Sequence, residues 1–490
     1  MATLQGVRLD ITTSAGGDTA RLVYDGISHS TSDLIEITIQ RGRSSVRDLA
    51  PVGSATITLD NTLRRYTPDG PLAFSAAWRE GSDITIAAQI DSVSYSLFVG
   101  QIFSIESVVE GPVRTVICQA VEGKSALISS ARSWPVTTDQ AAGDTIDDLY
   151  EAVGLSSSAS GGPTIPYFFL DAEPVHAGIA QLEESSGGRA FISRSGVGTY
   201  HGPSYRYGTE LLTVDWDVDA SSGGAGLLRA VKGFTRDSQI DLIRVSYTDR
   251  SPADSDTIWT QPDELYVQVP YGRTTTLIAS FDHPVIGTPT GAPTYAAPGS
   301  TTVTMGAKWM RLDLVPRVLG LYPIPAGWPT YPDLDGGQVV LTGVLLTESA
   351  AQIAEAGDVA GARVLEISPR WLPSYTQAVR MADRLYFELS ARIPTLSIVQ
   401  QGLSSTWLRC LTAELDDYVR LRDGDGFDHY GFIGAISIAI RAGLTVETTW
   451  QVEPSRAAGS SGPIIGGTTP YLIIGDATYG QIGTGRIAPS

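Results

Sequence analysis

Residues 54–68 read SATITLDNTLRRYTP, and the first half of this stretch sets the fold class. Ala55, Ile57 and Leu59 alternate with polar residues, which is the pattern of a strand with one buried face. Asp60 then ends the strand, because an aspartate side chain bonds to nearby backbone and favours a turn. The stretch therefore predicts a half-buried strand that runs into a polar loop.

The loop after this strand carries Arg64, Arg65 and Tyr66, which an ordinary connection does not need. Arginine and tyrosine are enriched where proteins contact one another, because they combine apolar area with hydrogen-bonding groups. We predict that these three residues hold the loop to its own subunit or to an adjacent one, through acidic partners and aromatic packing.

The same alternation recurs on both sides of the loop and predicts a mainly β, multidomain protein. Clear examples are LIEITIQ (34–40), DITIAAQI (83–90) and VRTVICQAV (113–121). Short strands at this spacing are typical of sandwiches and barrels. A chain of 490 residues is also too long for one core, and its 52 glycines and 28 prolines indicate frequent turns.

Three segments instead show helical signals. DTIDDLYEAVG (144–154) has Asp144 or Thr145 as its predicted N-cap and Gly154 just past its end. A second helix begins near Pro174 and ends in glycines. The third, 374–392, has Ser374 as its N-cap and a helical stripe of apolar residues that we interpret as core packing.

These patterns predict five regions along the chain. They are a first β-barrel over 1–123, a small α+β domain over 124–235, a second β-barrel over 236–249 and 351–452 with helix 374–392, an inserted β-sandwich over 250–350, and a C-terminal docking tail over 453–490.

The composition is acidic, with 53 Asp and Glu against 34 Lys and Arg and a net charge of -19. Such a surface repels phosphate, so the composition argues against general nucleic-acid binding, whereas DNA sliding past an acidic wall is compatible with it. Cys118 and Cys410 lie in runs predicted as strands, TVICQAV and TWLRCLTA, and do not form a disulfide framework. No signal peptide or membrane span is visible, which predicts synthesis in a cytoplasm and no membrane insertion by the chain itself.

Motifs for catalysis are missing where they would be easiest to see. GKS at 123–125 lacks the glycine of a phosphate loop, since Cys118 stands at that position. The acidic segment 422–431 has Phe427 where a calcium loop needs an acid. Acidic pairs at Asp147-Asp148, Glu183-Glu184 and Asp416-Asp417 are expected to be solvated. We therefore predict no enzyme, no cofactor and no metal site, and a role in structure and assembly.

The order of several segments resembles the minor tail or baseplate hub proteins of tailed bacteriophages. The resemblance is carried by RGR (41–43), the run 49–61 followed by RRYTP, the helix and hairpin up to residue 202, IDLIRVSYTDR, and the late helix followed by LTAELDDYVRLR. One departure is Asp416-Asp417, where the family pattern has Gly-Asp, and it leaves the turn type open.

This resemblance implies a homotrimer at the virion tail tip, made in the cytoplasm of the host bacterium. Each subunit would carry two tail-tube-like barrels, so that three subunits join the six-fold tube to a three-fold tip and surround the channel used for DNA ejection. The implied partners are the distal tail or tail tube protein, the tape measure protein, and central fibre or receptor-binding proteins. DNA would pass without sequence-specific binding, and we expect a net negative channel surface.

Two further possibilities stay open in the sequence. Tyr471, Leu472, Ile473 and Ile474 in the tail are apolar enough to add a strand to a partner's edge, or to pack on their own chain. The alternative function is a carbohydrate-binding or cell-wall-degrading β-rich protein, with the 250–350 region binding sugar. The hub of a contractile injection machine would share the fold.

Overall fold

The computed structural model describes residues 4–13, 19–24, 33–43, 52–68, 74–123, 125–203, 205, 211–215, 227–233, 240–260, 275–290, 299–316, 340–358, 363–390, 395–401, 407–422, 428–442 and 445–454. Strands predominate in these residues and form several sheets, so the predicted mainly β fold is confirmed.

The elements are numbered in chain order. The first strands are β1 (Leu4–Thr12), β2 (Thr19–Tyr24), β3 (Leu34–Gly42), β4 (Ser54–Asp60), β5 (Asp83–Ile90), β6 (Val93–Glu110) and β7 (Val113–Glu122). The next elements are α1 (Ser125–Ser129), β8 (Ala131–Ala141), α2 (Ala142–Ala152), β9 (Thr164–Pro174), α3 (Val175–Ser186), β10 (Arg189–Ile192), β11 (Gly198–His201), β12 (Leu211–Asp215) and β13 (Leu227–Gly233).

The second half of the chain continues the same numbering. Its first strands are β14 (Leu242–Tyr247), β15 (Arg250–Pro252), β16 (Asp256–Thr260), β17 (Thr275–Ser280), β18 (Val285–Thr290), β19 (Gly299–Met305), β20 (Trp309–Pro316), β21 (Val340–Glu348), β22 (Gln352–Gly357) and β23 (Val364–Ile367). The last elements are α4 (Tyr375–Leu389), β24 (Thr395–Gln401), α5 (Trp407–Thr412), β25 (Tyr418–Arg422), β26 (Asp428–Arg441) and β27 (Thr445–Pro454).

One 13-stranded sheet contains both ends of the described chain. Its main path runs β13-β24-β27-β26-β3-β4-β7-β6-β5-β1-β2, with β25 paired to β26 and β12 paired to β25. The two β blocks meet where β26 pairs antiparallel with β3, from Ala435 opposite Gly42 to Arg441 opposite Glu36. The early and late strands therefore form one continuous sheet.

Alternating side chains give this sheet one apolar face. Ile37 and Ile39 of β3, Ile57 of β4 and Trp450 of β27 point into one shared core and are fully buried. The polar residues between them occupy the other face, as the period-2 pattern predicts. Burial of this apolar face is the main favourable term that holds the two blocks together.

Smaller sheets lie beside the large one. β10 and β11 form the predicted hairpin around Ser195 and Gly196, and α2 and α3 pack near it in a second core. β15, β21, β18, β8 and β9 form a six-stranded sheet together with β16, and β17, β20 and β19 form a three-stranded one. Four strands of the 250–350 region, β15, β16, β18 and β21, thus share a sheet with β8 and β9 of the preceding region.

The structure places several segments elsewhere than the sequence predicted. β12 and β13, assigned to the small α+β domain, pair with β25 and β24 of the large sheet. β14 and α4, assigned to the second barrel, form a separate layer in which β14 pairs with β22 and β23. Apolar side chains of β14 face α4 there and form their own core. The domain boundaries themselves remain predictions.

Two local predictions are also corrected, and two hold. Within the run TWLRCLTA, Trp407–Thr412 form helix α5 rather than a strand, because a short apolar run does not distinguish the two. Helix α2 begins at Ala142 with Ala141 as its N-cap, not with Asp144 or Thr145. Ser374 does cap α4, since its side chain accepts a hydrogen bond from the Gln377 amide. Gly154 lies past α2 with φ +73, the left-handed region that favours glycine.

Candidate functional site: a buried ion-pair junction

The RGR segment lies at the end of β3, beside the strand that brings in the second β block. Gly42 has φ +79, and a Cβ on it would lie 2.2 Å from the Gly434 carbonyl oxygen of β26. Only glycine fits so close to the neighbouring backbone. Arg41 and Arg43 flank it and send their side chains to the inner side of the sheet.

Arg41 is buried, with 2% of its side chain exposed, and bonds to three different parts of the chain. Its Nε lies 2.7 Å from Glu122 Oε1 at the end of β7, and its Nη1 lies 2.8 Å from Glu414 Oε1. Its Nη2 donates to the Ile192 carbonyl of β10 at 2.5 Å. One guanidinium therefore joins the first block, the hairpin and the segment that precedes β25.

Glu122 needs this cation because it is enclosed. Its side chain is 4% exposed, and its second oxygen accepts from the Gly53 amide at 3.1 Å. Burial raises the pKa of the Glu122 carboxyl, and the Arg41 guanidinium opposes that rise. Arg41 thus keeps an otherwise unfavourable buried carboxylate in place.

Arg43 and Arg189 share two glutamates in a second group of charges. Arg43 lies 3.1 Å from Glu183 Oε1 of α3 and 3.2 Å from Glu453 Oε1 of β27. Arg189 lies 3.7 Å from Glu183 and also donates to Glu453. Glu183 was expected to be solvated; it is buried, because α3 turns that face toward the end of β3.

These seven residues form the buried ion-pair junction: Arg41, Arg43, Glu122, Glu183, Arg189, Glu414 and Glu453. They come from the first block, the α+β region and the second block. Because removing one partner of a buried ion pair costs about 3–5 kcal/mol, the junction fixes the relative positions of these parts.

The turn before β25 explains the departure from the family pattern. Asp416 has φ +67, the conformation that favours glycine, and is almost fully buried. Its Oδ2 lies 3.1 Å from His201 Nδ1, and its amide donates to the Ile433 carbonyl at 2.8 Å. Asp417 Oδ2 accepts from the Glu414 amide at 2.8 Å. The contact with His201 thus holds Asp416 in a backbone conformation that glycine would adopt without strain. Neither Asp416 nor Asp417 is a solvated surface group.

Tyr66 holds the arginine loop within its own chain. Its ring packs against Phe74 and Trp78, with centroids 5.6 and 6.0 Å away. Its hydroxyl donates to Asp33 Oδ2 at 3.0 Å, and its carbonyl accepts from Trp78 Nε1 at 2.8 Å. Burial and the nearby Asp33 carboxylate raise the pKa of Tyr66. Its acidic and aromatic partners therefore belong to the same subunit.

Arg64 and Arg65 differ from Tyr66 because both are exposed. Arg64 has φ +57, and its amide donates to the Asn61 carbonyl at 2.8 Å. Within the described part of the chain, neither guanidinium forms an ion pair with a carboxylate. The loop thus presents two cations to its surroundings from a rigid base.

Several residues singled out in the sequence lie outside the described part of the chain. They are Tyr471, Leu472, Ile473, Ile474, Lys124, Asp423 and Asp425. Cys118 and Cys410 are free and buried, and burial raises the pKa of the Cys118 thiol to about 12.

Among the described residues, no His, Cys, Asp and Glu side chains gather into a group that could hold a metal ion. No described helix has the length and apolar character needed to cross a membrane.

The residues of the junction carry almost no signal in the sequence. RGR was notable only through the family resemblance, and Glu122, Glu414 and Glu453 lie far apart along the chain. One usable sign was Arg41 itself, an arginine at an inward position of an alternating strand. A charge at such a position requires a buried partner.

Comparisons with solved structures identify relatives of this fold. The 43 kDa tail protein of prophage MuSo2 from Shewanella oneidensis aligns with a TM-score of 0.50 and 11% identity, over 91% of this chain and 98% of that one. The tail protein from Neisseria meningitidis aligns with a TM-score of 0.50 and 11% identity, over 93% and 98%. No protein-family model and no curated protein sequence matches the chain. The chain therefore has the fold of these tail proteins, as the resemblance predicted.

Proposed function

We propose, from the fold shared with a prophage tail protein and a second tail protein, that this chain is a structural baseplate hub or minor tail protein of a phage tail. In this proposal three copies form a ring at the tip of a phage tail, join the six-fold tube to a three-fold tip, and surround the channel through which DNA leaves. The ring is part of the virion, and the chain works without catalysis or a cofactor.

The observation that carries the proposal is the single sheet formed by both β blocks. If each of three subunits places two β blocks against a six-fold tube, the two blocks of one subunit must keep a fixed distance and orientation relative to each other. Pairing of β26 with β3 supplies the backbone link, and the buried ion-pair junction locks the side chains across it. Both features favour a rigid building block over a flexible two-domain binder.

Arg64 and Arg65 are the proposed contact with an adjacent subunit. They are exposed cations on a loop that Tyr66 anchors, so little backbone freedom is lost when they meet a partner. The chain is acidic, with a net charge of -19, so a second copy offers many carboxylates for them. Tyr471 to Ile474 are proposed to dock on a neighbouring tail protein.

Other partners follow from the position at the tail tip. The distal tail or tail tube protein would lie above the ring, the tape measure protein within it, and central fibre or receptor-binding proteins below it.

Measuring the mass of the purified chain in solution tests the proposal. A trimer has three times the monomer mass of 52.0 kDa. The Arg64→Ala, Arg65→Ala double variant should keep its thermal stability, since both residues are exposed, yet lose the trimer. Arg79→Ala, another exposed arginine on the first block, is the matched control and should leave the trimer intact. A double variant that assembles like the wild type would rule out the arginine contact, and a wild-type chain that stays monomeric at every concentration would oppose the ring.

A further inference from the structure

The hairpin formed by β6 and β7 has an outward face on which apolar side chains are bordered by carboxylates. Val116 and Cys118 of β7 are fully buried, so the residues that alternate with them point away from the core. The apolar members of this outward face are Val108, Val113 and Ile117, and the acids beside them are Asp60 of β4, Glu106 and Glu110. We call these six residues the hairpin patch.

The hairpin patch is open in the single chain. Val113 is 55% exposed, and Glu106 and Glu110 are exposed as well. Within the described part of the chain, no arginine or lysine forms an ion pair with the acids of the patch. An exposed apolar strip with carboxylates at its border fits a partner that brings an apolar side chain and cations together.

The arginine loop presents that combination on one short segment. Leu63, Arg64 and Arg65 are consecutive and exposed, and the exposed fraction of Leu63 is 57%. The loop has a fixed base, because the Arg64 amide donates to the Asn61 carbonyl at 2.8 Å and the Tyr66 amide donates to Asn61 Oδ1 at 3.0 Å. One apolar and two cationic side chains are thus displayed together without a partner in their own chain.

The loop and the hairpin patch lie side by side but do not cover each other. The Asn61 amide donates to the Arg114 carbonyl of β7 at 2.8 Å, which fixes the loop at the end of the hairpin. Leu63 and Val113 both stay exposed in this arrangement. Each copy of the chain therefore offers both surfaces to other copies.

Resting on the proposed function, we propose that Leu63, Arg64 and Arg65 of one copy dock on the hairpin patch of the next copy. Leu63 packs on the apolar strip, and the two guanidinium groups pair with carboxylates at its border. Since the two surfaces differ, the contact runs head to tail and closes a ring when the rotation between copies permits. The carboxylates that receive the arginines are thereby assigned to one hairpin.

Disulfide trapping between two single variants tests this pairing. Leu63→Cys and Val113→Cys chains, one of them with a size tag, are mixed before assembly and oxidised, so a mixed dimer can form only between two copies. Cys118 and Cys410 are buried and do not compete. We expect the mixed dimer, and we expect none when Val93→Cys replaces Val113→Cys. Val93 is the matched control, because it is 51% exposed and lies at the other end of β6.

Charge reversal tests the ion pairs. Arg64→Glu with Arg65→Glu should weaken association about 100-fold, because like charges then meet across the contact. Glu106→Arg with Glu110→Arg should weaken it by a similar factor. The chain with all four changes should recover most of the lost association, since opposite charges face each other again. All four positions are exposed, so the thermal stability of each variant should match that of the wild type.

The control for charge reversal is Arg79→Glu with Glu151→Arg, two exposed charges outside both surfaces, and it should assemble like the wild type. A ring that forms without the mixed disulfide, a ring that either reversal leaves unchanged, or a loss that the fourfold variant does not recover would overturn the pairing while the proposed function stands. A wild-type chain that stays monomeric at every concentration would overturn the proposed function itself.

Discussion

Replacing Arg41 with methionine removes the cation on which the buried ion-pair junction depends. Methionine fills much of the space of the arginine stem, so the change acts mainly through charge. The Glu122 carboxylate, 4% exposed, keeps only the Gly53 amide as its polar partner among the contacts described above. Glu414 is 21% exposed and reaches water more easily. Removing one partner of a buried pair costs about 3–5 kcal/mol, so we expect a loss of that size.

The loss of stability in Arg41→Met should grow as pH rises. Burial already raises the pKa of Glu122, and without Arg41 the pKa rises further. A group whose folded pKa exceeds its unfolded pKa stabilises the fold fully below the unfolded value and loses that effect as pH rises through the folded value. The variant should therefore lose least near the ordinary glutamate pKa of about 4.3 and progressively more as pH rises above it.

Calorimetry of wild type, Arg41→Met, Glu122→Gln and the double variant measures this effect. In a cooperative unit of about 150–250 residues each kcal/mol lowers Tm by about 2–4 °C, so Arg41→Met should lose about 6–20 °C at neutral pH. The double variant should recover most of the loss, because no buried charge is left unpaired. A neutral-pH loss under about 2 °C, or a loss that is the same at every pH, would refute the role assigned to Arg41.

Three smaller predictions concern single contacts, each measured by reversible denaturation of the purified chain. Tyr66→Phe removes the hydrogen bond from the hydroxyl to Asp33 and should lower the free energy of unfolding by about 1–3 kcal/mol, since a charged acceptor is left with fewer donors. An unchanged free energy of unfolding would show that this bond does not stabilise the loop. Asp416→Ala should destabilise more than Asp416→Gly, by about 1–2 kcal/mol, because both lose His201 but only alanine keeps the left-handed strain, and the reverse order would argue against strain at φ +67. Ser374→Ala should cost about 1 kcal/mol by removing the N-cap of α4, and an unchanged midpoint would show that packing alone sets this helix start.

The local structure of the first block could be predicted because apolar and polar residues alternate along its strands. Ile37, Ile39 and Ile57 alternate with polar residues, so burial fixes which way each strand faces and a slip of one residue would expose the core. The hairpin of β10 and β11 and the helix after Ser374 carried equally direct turn and cap signals. In each case neighbours in sequence are also neighbours in space.

Pairing over long distances could not be read in the same way. β26 joins β3 across nearly the whole described chain, and β13 leaves its predicted region to pair with β24. Nothing local in the sequence of β13 states which strand it will meet. The strand prediction for TWLRCLTA was wrong for a different reason, since the six helical residues Trp407–Thr412 are too few to show a helical period.

The junction escaped prediction because its partners are distant and individually ordinary. Glu183 looked like one of two adjacent acids on a helix, a pattern that is usually solvated, and only the fold brings Arg43 and Arg189 to it. Arg64 and Arg65, in contrast, stood out in sequence and lie exposed in the structure. Their contact with a second subunit stays a prediction.

Imaging tail particles that contain this chain, with a tag on it, measures its place and copy number directly. We expect the tag at the distal tip in three copies around a three-fold axis, with both β blocks of each copy facing a common channel. A single copy, a position along the shaft, or β blocks that do not enclose a channel would contradict the hub proposed here.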